Sequence, residues 1–209
     1  THAICLQPSE HAVVIYDTEA PLTKIILEGY RRALPTGEFL DFATVTSEQI
    51  MEHITAAAPG DLVILLQSTN FRLNEFRLRI ELFQRGLKTI EHLHLTRISE
   101  SQFEAYINAL AYDPEYYRPL GHALQKKLDA AEEILVECAG TTLRYTGGLE
   151  STKPNLGDYS EMKNVGGTFP IGEVFTEAKD LTCVNGDAMV FAYAGDDHKV
   201  RIMEPFKVH

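Results

Sequence analysis

The first half of the chain switches repeatedly between two hydrophobic periods, and this alternation is what most limits its fold. Short, wholly apolar runs such as "AVVIY" (12–16) and "DLVILLQ" (61–67) have the length and texture of strands buried on both faces. Between them, Leu22, Ile25, Ile26, Tyr30 and Ala33 recur at helical spacing, and Pro21 suits a first helical turn. "EFLDFAT" (38–44) reads as a strand, and "TSEQIMEHITAA" (46–57) as a helix with Thr46 and Gln49 at capping-box spacing. "NEFRLRIELFQRG" (74–86) reads as an amphipathic helix closed by Gly86, "KTIEHLHLTRI" (88–98) as a fourth strand, and Ser99 with Gln102 as the cap of a further helix. Strands alternating with helices imply a parallel sheet covered on both faces, hence an α/β fold with three layers.

Beyond Asp113-Pro114, the segment "PEYYRPLGHALQKKLDAAEE" (114–133) predicts a helix that Pro119 bends or divides. The texture then changes. "ILVECAGTTLRYTGG" (134–148) predicts a hairpin turning at Ala139-Gly140, "STKPNLGDYSEMKN" (151–164) a loop, and "DAMVFAYAG" and "KVRIMEPFKVH" two more strands. The expected organisation is therefore an α/β, Rossmann-like domain over residues 1–133, followed by a β-rich, partial second domain over 134–209. The last strand carries no stop signal, so the pattern predicts that the natural chain runs on past His209.

Charge excludes some partners. Thirty acidic against 19 basic residues leave a net charge of −11, which repels nucleic-acid phosphates and anionic membranes and favours cations or amine-bearing ligands. Cys5, Cys138 and Cys183 are widely spaced, without a C-x-x-C pair, so neither a disulfide framework nor a zinc knuckle is expected. That usage, and the absence of a signal-like segment or a bilayer-length apolar run in this sequence, predict a cytoplasmic location.

Several residues are candidates for chemistry. Asp17 ends the first strand, where open α/β sheets bind ligands, but no phosphate-cradling glycines follow it, and it reads as a helix-start signal. His92 and His94, two apart on a predicted strand, would share a face; two ligands without a third make no zinc site, and a structural role is expected. Ser68, Thr69 and Asn70 lack a neighbouring base and read as loop and cap residues. Tyr112, Tyr116, Tyr117 and Arg118 read as packing between domains.

"GGTFPIGEVFTEA" (166–178) is the most unusual stretch. Its glycines let other groups approach the backbone, and Glu173 would follow a tight turn into a short strand on which Glu173, Phe175 and Glu177 share a face. A carboxylate among apolar residues is costly to bury alone, so Glu173 would seek a cation, an arginine or a metal.

With the following "TCVNGDAMVF", this block resembles the signature of the thermophilic metalloaminopeptidase family typified by aminopeptidases T and S, which carry N-L-P-x-G-E-V-F-T-x-P and then V-N-G. The likeness is strong from Pro170 to Phe175 and loose before residue 100; Glu177 and Ala178 depart from the family pattern. The resemblance implies a ligand role for Glu173 in a two-metal site holding zinc, cobalt or manganese, with the other ligands downstream of His209. It implies release of amino-terminal residues from a peptide substrate. Ring-cleaving, iron-dependent dihydroxypyridine dioxygenases are similar in fold, which keeps iron-dependent oxygen chemistry on a small-molecule substrate open as an alternative. A non-catalytic interaction module, for which a homodimer is expected, is a third.

Overall fold

In the computed structural model, residues 2–73, 76–160, 166–195 and 200–209 are described. In chain order, β1 (Ala12–Tyr16), α1 (Pro21–Ala33), β2 (Glu38–Asp41), α2 (Ser47–Ala56) and β3 (Leu62–Leu66) come first. The two-residue strands β4 (Arg72–Leu73) and β5 (Phe76–Arg77) then lead into α3 (Leu78–Gln84), β6 (Lys88–His92), α4 (Phe103–Ala109) and α5 (Pro114–Asp129). β7 (Ile134–Cys138), β8 (Thr141–Tyr145), β9 (Lys153–Asn155), β10 (Gly166–Thr168), β11 (Glu173–Phe175), β12 (Val184–Gly186), β13 (Ala188–Ala194) and β14 (Val200–Val208) complete the described elements.

These elements form two compact units, Thr1–Arg118 with Asn155–Gly172, and Pro119–Pro154 with Glu173–His209. Sequence texture put one boundary near residue 133. In the structure the chain leaves the first unit within α5 and returns to it for a single stretch. The reason is β10: it adds to the edge of the main sheet through pairs such as Gly167 with Ile90 and Thr168 with Glu91.

In the first unit all the strand pairs of the main sheet are parallel, in the order β10-β6-β3-β1-β2. Counted within the sheet this is the doubly wound order 2-1-3-4-5. Alternation along the strands separates two faces. Val14, Leu62, Ile64, Leu66 and Ile90 pack with Leu22, Ile26 and Leu27 of α1. Val13, Ile15, Val63 and Leu65 pack with Ile50 and Ile54 of α2 and Leu78 and Leu82 of α3. The fold is thus α/β with three layers, followed by a β-rich part, as the alternation predicts. The capping box is present: the Gln49 amide donates to Thr46 Oγ1 at 3.2 Å, and the Thr46 amide to Gln49 Oε1 at 2.8 Å.

The predicted helix over 74–86 begins only at Leu78, because a small hairpin of β4 and β5 precedes it; residues 74 and 75 lie outside the described residues. The predicted helix over 114–133 is one element that keeps Pro119 inside it and stops at Asp129.

Polar side chains close the amino end of the sheet. Asp61 accepts the His11 and Ala58 amides, each at 2.8 Å, and the buried Lys88 ammonium meets Glu10 at 2.6 Å and the Cys5 carbonyl at 3.1 Å. Removing either partner of such a pair strands a buried charge, so the pair holds the fold even where its net stabilisation is small. The Tyr112–Arg118 group also works inside this unit. Tyr112 stacks on Tyr117 with ring centroids 5.6 Å apart, and Arg118 donates to Tyr112 Oη at 3.0 Å and to the carbonyls of His2 and Gly157 at 2.9 and 3.1 Å.

In the second unit the predicted hairpin is formed by β7 and β8, turning through Ala139 and Gly140, both at positive φ. β12 adds to β8, β9 pairs with β11, and β13 pairs with β14.

The glycines of "GGTFPIG" have steric reasons. A Cβ on Gly167 would sit 2.1 Å from the Asn155 side chain, and one on Gly172 (φ +125°) would sit 2.8 Å from the Tyr117 ring. Gly172→Ala is expected to destabilise the protein by about 1–3 kcal/mol, combining backbone strain with a displaced ring. Urea unfolding checks this; an unchanged midpoint would show that the loop relaxes without cost.

Candidate functional site

The order of the sheet reverses between β1 and β3, and the crevice outside the carboxyl ends of those strands is where doubly wound sheets bind ligands. Here Asp17 and Ser68 meet. The Ser68 hydroxyl donates to Asp17 Oδ1, the Ser68 amide donates to Oδ2 at 2.8 Å, and the Glu19 amide donates to Oδ1 at 3.1 Å. Ser68 Oγ in turn accepts the Ala20 amide at 2.7 Å, just ahead of α1. Ser68 is wholly buried and Asp17 nearly so. The carboxylate is spent on three internal donors, so this corner of the crevice is a tie between the β1 and β3 ends; Asp17, expected as a helix-start residue, does not cap α1, whose N-cap is Ala20.

Alternation along β6 sends its last two side chains to opposite faces. Glu91 turns towards α3, where Arg79 Nη1 lies 2.5 Å from its Oε2 and Gln67 Nε2 donates to its Oε1 at 3.2 Å. Gln67 Oε1 accepts the Phe71 amide at 2.6 Å, which fixes the loop after β3. This buried polar group was not found from sequence, because Gln67, Arg79 and Glu91 follow no spacing motif.

His92 turns the other way. Its Nε2 lies 2.7 Å from Tyr30 Oη of α1, and its Nδ1 lies 2.9 Å from Tyr106 Oη of α4. Tyr106 donates its own proton to the Phe169 carbonyl at 3.1 Å, so it accepts from His92 Nδ1–H. Nε2 then carries the lone pair that receives the Tyr30 proton. A single relay therefore runs from Tyr30 through neutral His92 and Tyr106 to the backbone beside β10. Burial pushes the imidazole down to about 3 and pushes both tyrosine hydroxyls up.

The strand predicted through residue 98 ends at His92. His94 has φ +55° and leads into a 3-10 turn over Leu95–Arg97, so the two histidines do not share a strand face. The structural role expected of His92 holds, through tyrosine partners that its flanking residues do not signal. Thr69 and Asn70 lie in the connection after β3, and the Thr69 carbonyl accepts the His94 amide at 2.9 Å.

Glu173 opens β11 directly after Gly172, with Phe175 on the same exposed face and Val174 half-buried. Glu177, expected on that face, lies beyond the strand, where its carbonyl accepts the Glu150 amide at 2.8 Å. Among the described residues, no three histidine, cysteine or carboxylate side chains gather where they could hold a metal ion. Glu173 by itself does not make a metal site, and the described residues do not fit a complete one. Asp196, Asp197 and His198 lie outside the described residues. No family model, no curated protein and no solved structure matches this chain.

Two outcomes follow from the buried groups. The His92 pKa falls from 6.5 in the unfolded chain to about 3 in the folded one, so only the unfolded state takes up this proton between those values. Its contribution to stability is present above pH 6.5 and is lost as pH falls towards 3, with a slope of at most about 1.4 kcal/mol per pH unit. Denaturant unfolding from pH 7 to 4 should show this slope, and His92→Gln should flatten it; equal slopes would exclude His92 as its source. Ser68→Ala removes a donor to Asp17 and the acceptor for Ala20, and should cost about 1–3 kcal/mol at pH 7. A smaller loss would show that water replaces the hydroxyl.

Proposed function

We propose that this chain belongs to a metal-dependent, aminopeptidase-like hydrolase in which Glu173 is one carboxylate ligand. The observation that carries the reading is the setting of Glu173 inside the "PIGEVF" block. It is exposed at the first position of β11, immediately after Gly172, whose backbone conformation and lack of a Cβ are required beside Tyr117. A carboxylate on such a backbone is positioned before a metal arrives, which reduces the ordering cost of ligation. The remaining ligands come from outside the described residues.

The net charge of −11 supports a substrate with a free, cationic amino terminus. Bound divalent metal would polarise a scissile carbonyl and acidify a water molecule. The chain's own part, on this reading, is to present Glu173 at the start of β11.

A second reading, a non-catalytic interaction module, is favoured by the β13–β14 hairpin. Val200, Ile202, Phe206 and Val208 are exposed along β14, interrupted by Glu204 and a shift in pairing register, and Ile202 is 77% exposed. Val190 pairs with Phe206 and Ala192 with Ile202, on either side of that shift.

Metal analysis of the natural protein separates these readings. Two divalent ions per chain support the hydrolase, one Fe(II) supports the ring-cleaving dioxygenase, and no bound metal leaves the interaction module. In the hydrolase case, Glu173→Gln is expected to lower metal affinity at least about tenfold, since losing even an outer-shell partner of a ligand costs about that much. The thermal midpoint of the α/β unit should not move. Unchanged affinity would remove Glu173 from the site.

A further inference from the structure

A different concavity lies within the first unit. It has a volume of 310 Å³ and is walled by α1, α4, the amino-terminal segment and β6, through Ile4, Ile26, Tyr30, Ile90, Leu110 and Phe169 among others. Ile26, Ile90 and Phe169 belong to the buried core, so the floor of the hollow is the core itself. The hollow opens to the surface, with the exposed Ile25 and Ile107 among its walls.

Gly29 stands inside α1, where glycine is among the worst helix formers, and nothing lies within 4 Å of the place its Cβ would occupy. No packing contact therefore calls for a glycine. What its missing side chain does is leave the mouth open: Gly29 and Ile25 line both the hollow and a second, shallower depression that continues along α1 past Lys24, Glu28 and Arg32. In that depression Arg32 is paired with Glu28 at 3.0 Å, whereas Lys24 has no ion-pair partner among the described residues. A cation without an ion-pair partner beside an apolar hollow is complementary to an anion with a hydrocarbon body, against the general repulsion of a net charge of −11.

We infer that the hollow between α1 and α4 binds a small apolar monocarboxylate, its hydrocarbon body inside and its carboxylate at Lys24. A cavity of ~150 Å³ accepts one benzene ring, so the 310 Å³ here suits a chain of roughly eight to ten carbons. This inference is independent of Glu173 and of any metal.

Octanoate and 1-octanol, titrated by calorimetry into the wild-type chain and two variants, test it. Octanoate should bind saturably, one per chain. Lys24→Ala should weaken octanoate by about two- to fivefold, the size of an exposed ion pair, and leave octanol unchanged. Gly29→Leu should abolish binding of both; because leucine favours helix over glycine, its circular dichroism and unfolding midpoint should confirm an intact fold. Absence of saturable octanoate binding, or binding unaffected by Gly29→Leu, overturns the site. An octanoate affinity untouched by Lys24→Ala overturns the assignment of a carboxylate ligand. A concentration-dependent dimer that Gly29→Leu disrupts, with no octanoate bound, would assign the hollow to a second copy of the chain instead.

Discussion

A strand whose every side chain is buried, as in Leu62–Leu66, gives the polar groups at its ends little route to water. Parallel pairing to β1 on one side and β6 on the other extends that condition to its neighbours. Burial of a polar group costs a few kcal/mol unless it finds a partner, so both ends of the sheet have to be closed internally. Asp61 and the Lys88–Glu10 pair do this at the amino end. At the carboxyl end the work is divided among Asp17 with Ser68, Glu91 with Arg79 and Gln67, and His92 with its two tyrosines.

That closure shapes what the carboxyl edge offers chemically. The edge is the usual ligand-binding place of a doubly wound sheet, and it carries an aspartate, a serine, a glutamate and a histidine. Geometry separates them: Glu91 and His92 face opposite sides of the sheet, and Ser68 bonds to a carboxylate rather than to an imidazole. His92 is neutral because burial disfavours its charged form, and its relay joins α1, β6, α4 and the residue after β10. Its effect is cohesion of four separate segments.

The block 166–178 is divided between the two units. Gly166–Thr168 supplies the edge strand of the parallel sheet, Phe169 and Ile171 enter its core, and Glu173 opens a strand of the other unit. Several of its residues are thus accounted for by packing: Gly167 by Asn155, Gly172 by Tyr117, Phe169 and Ile171 by the apolar core. Glu173 is exposed at the first position of β11, directly after Gly172.

Local sequence determined the elements whose causes are local. The apolar runs at 12–16 and 62–66, the Thr46–Gln49 box, Pro21 in the first turn of α1 and the Ala139–Gly140 turn were all legible, because each depends on neighbours a few residues away. The three-layer α/β fold followed from their alternation. Tertiary structure alone decided that Gly166–Thr168, a stretch led by two glycines of little strand propensity, would join β6 more than seventy residues earlier in the chain. It also decided that His92 would bond tyrosines 62 and 14 residues away, and that the strand would stop before His94. These outcomes depend on which segments become neighbours when the sheet is covered, and no spacing within one segment encodes that.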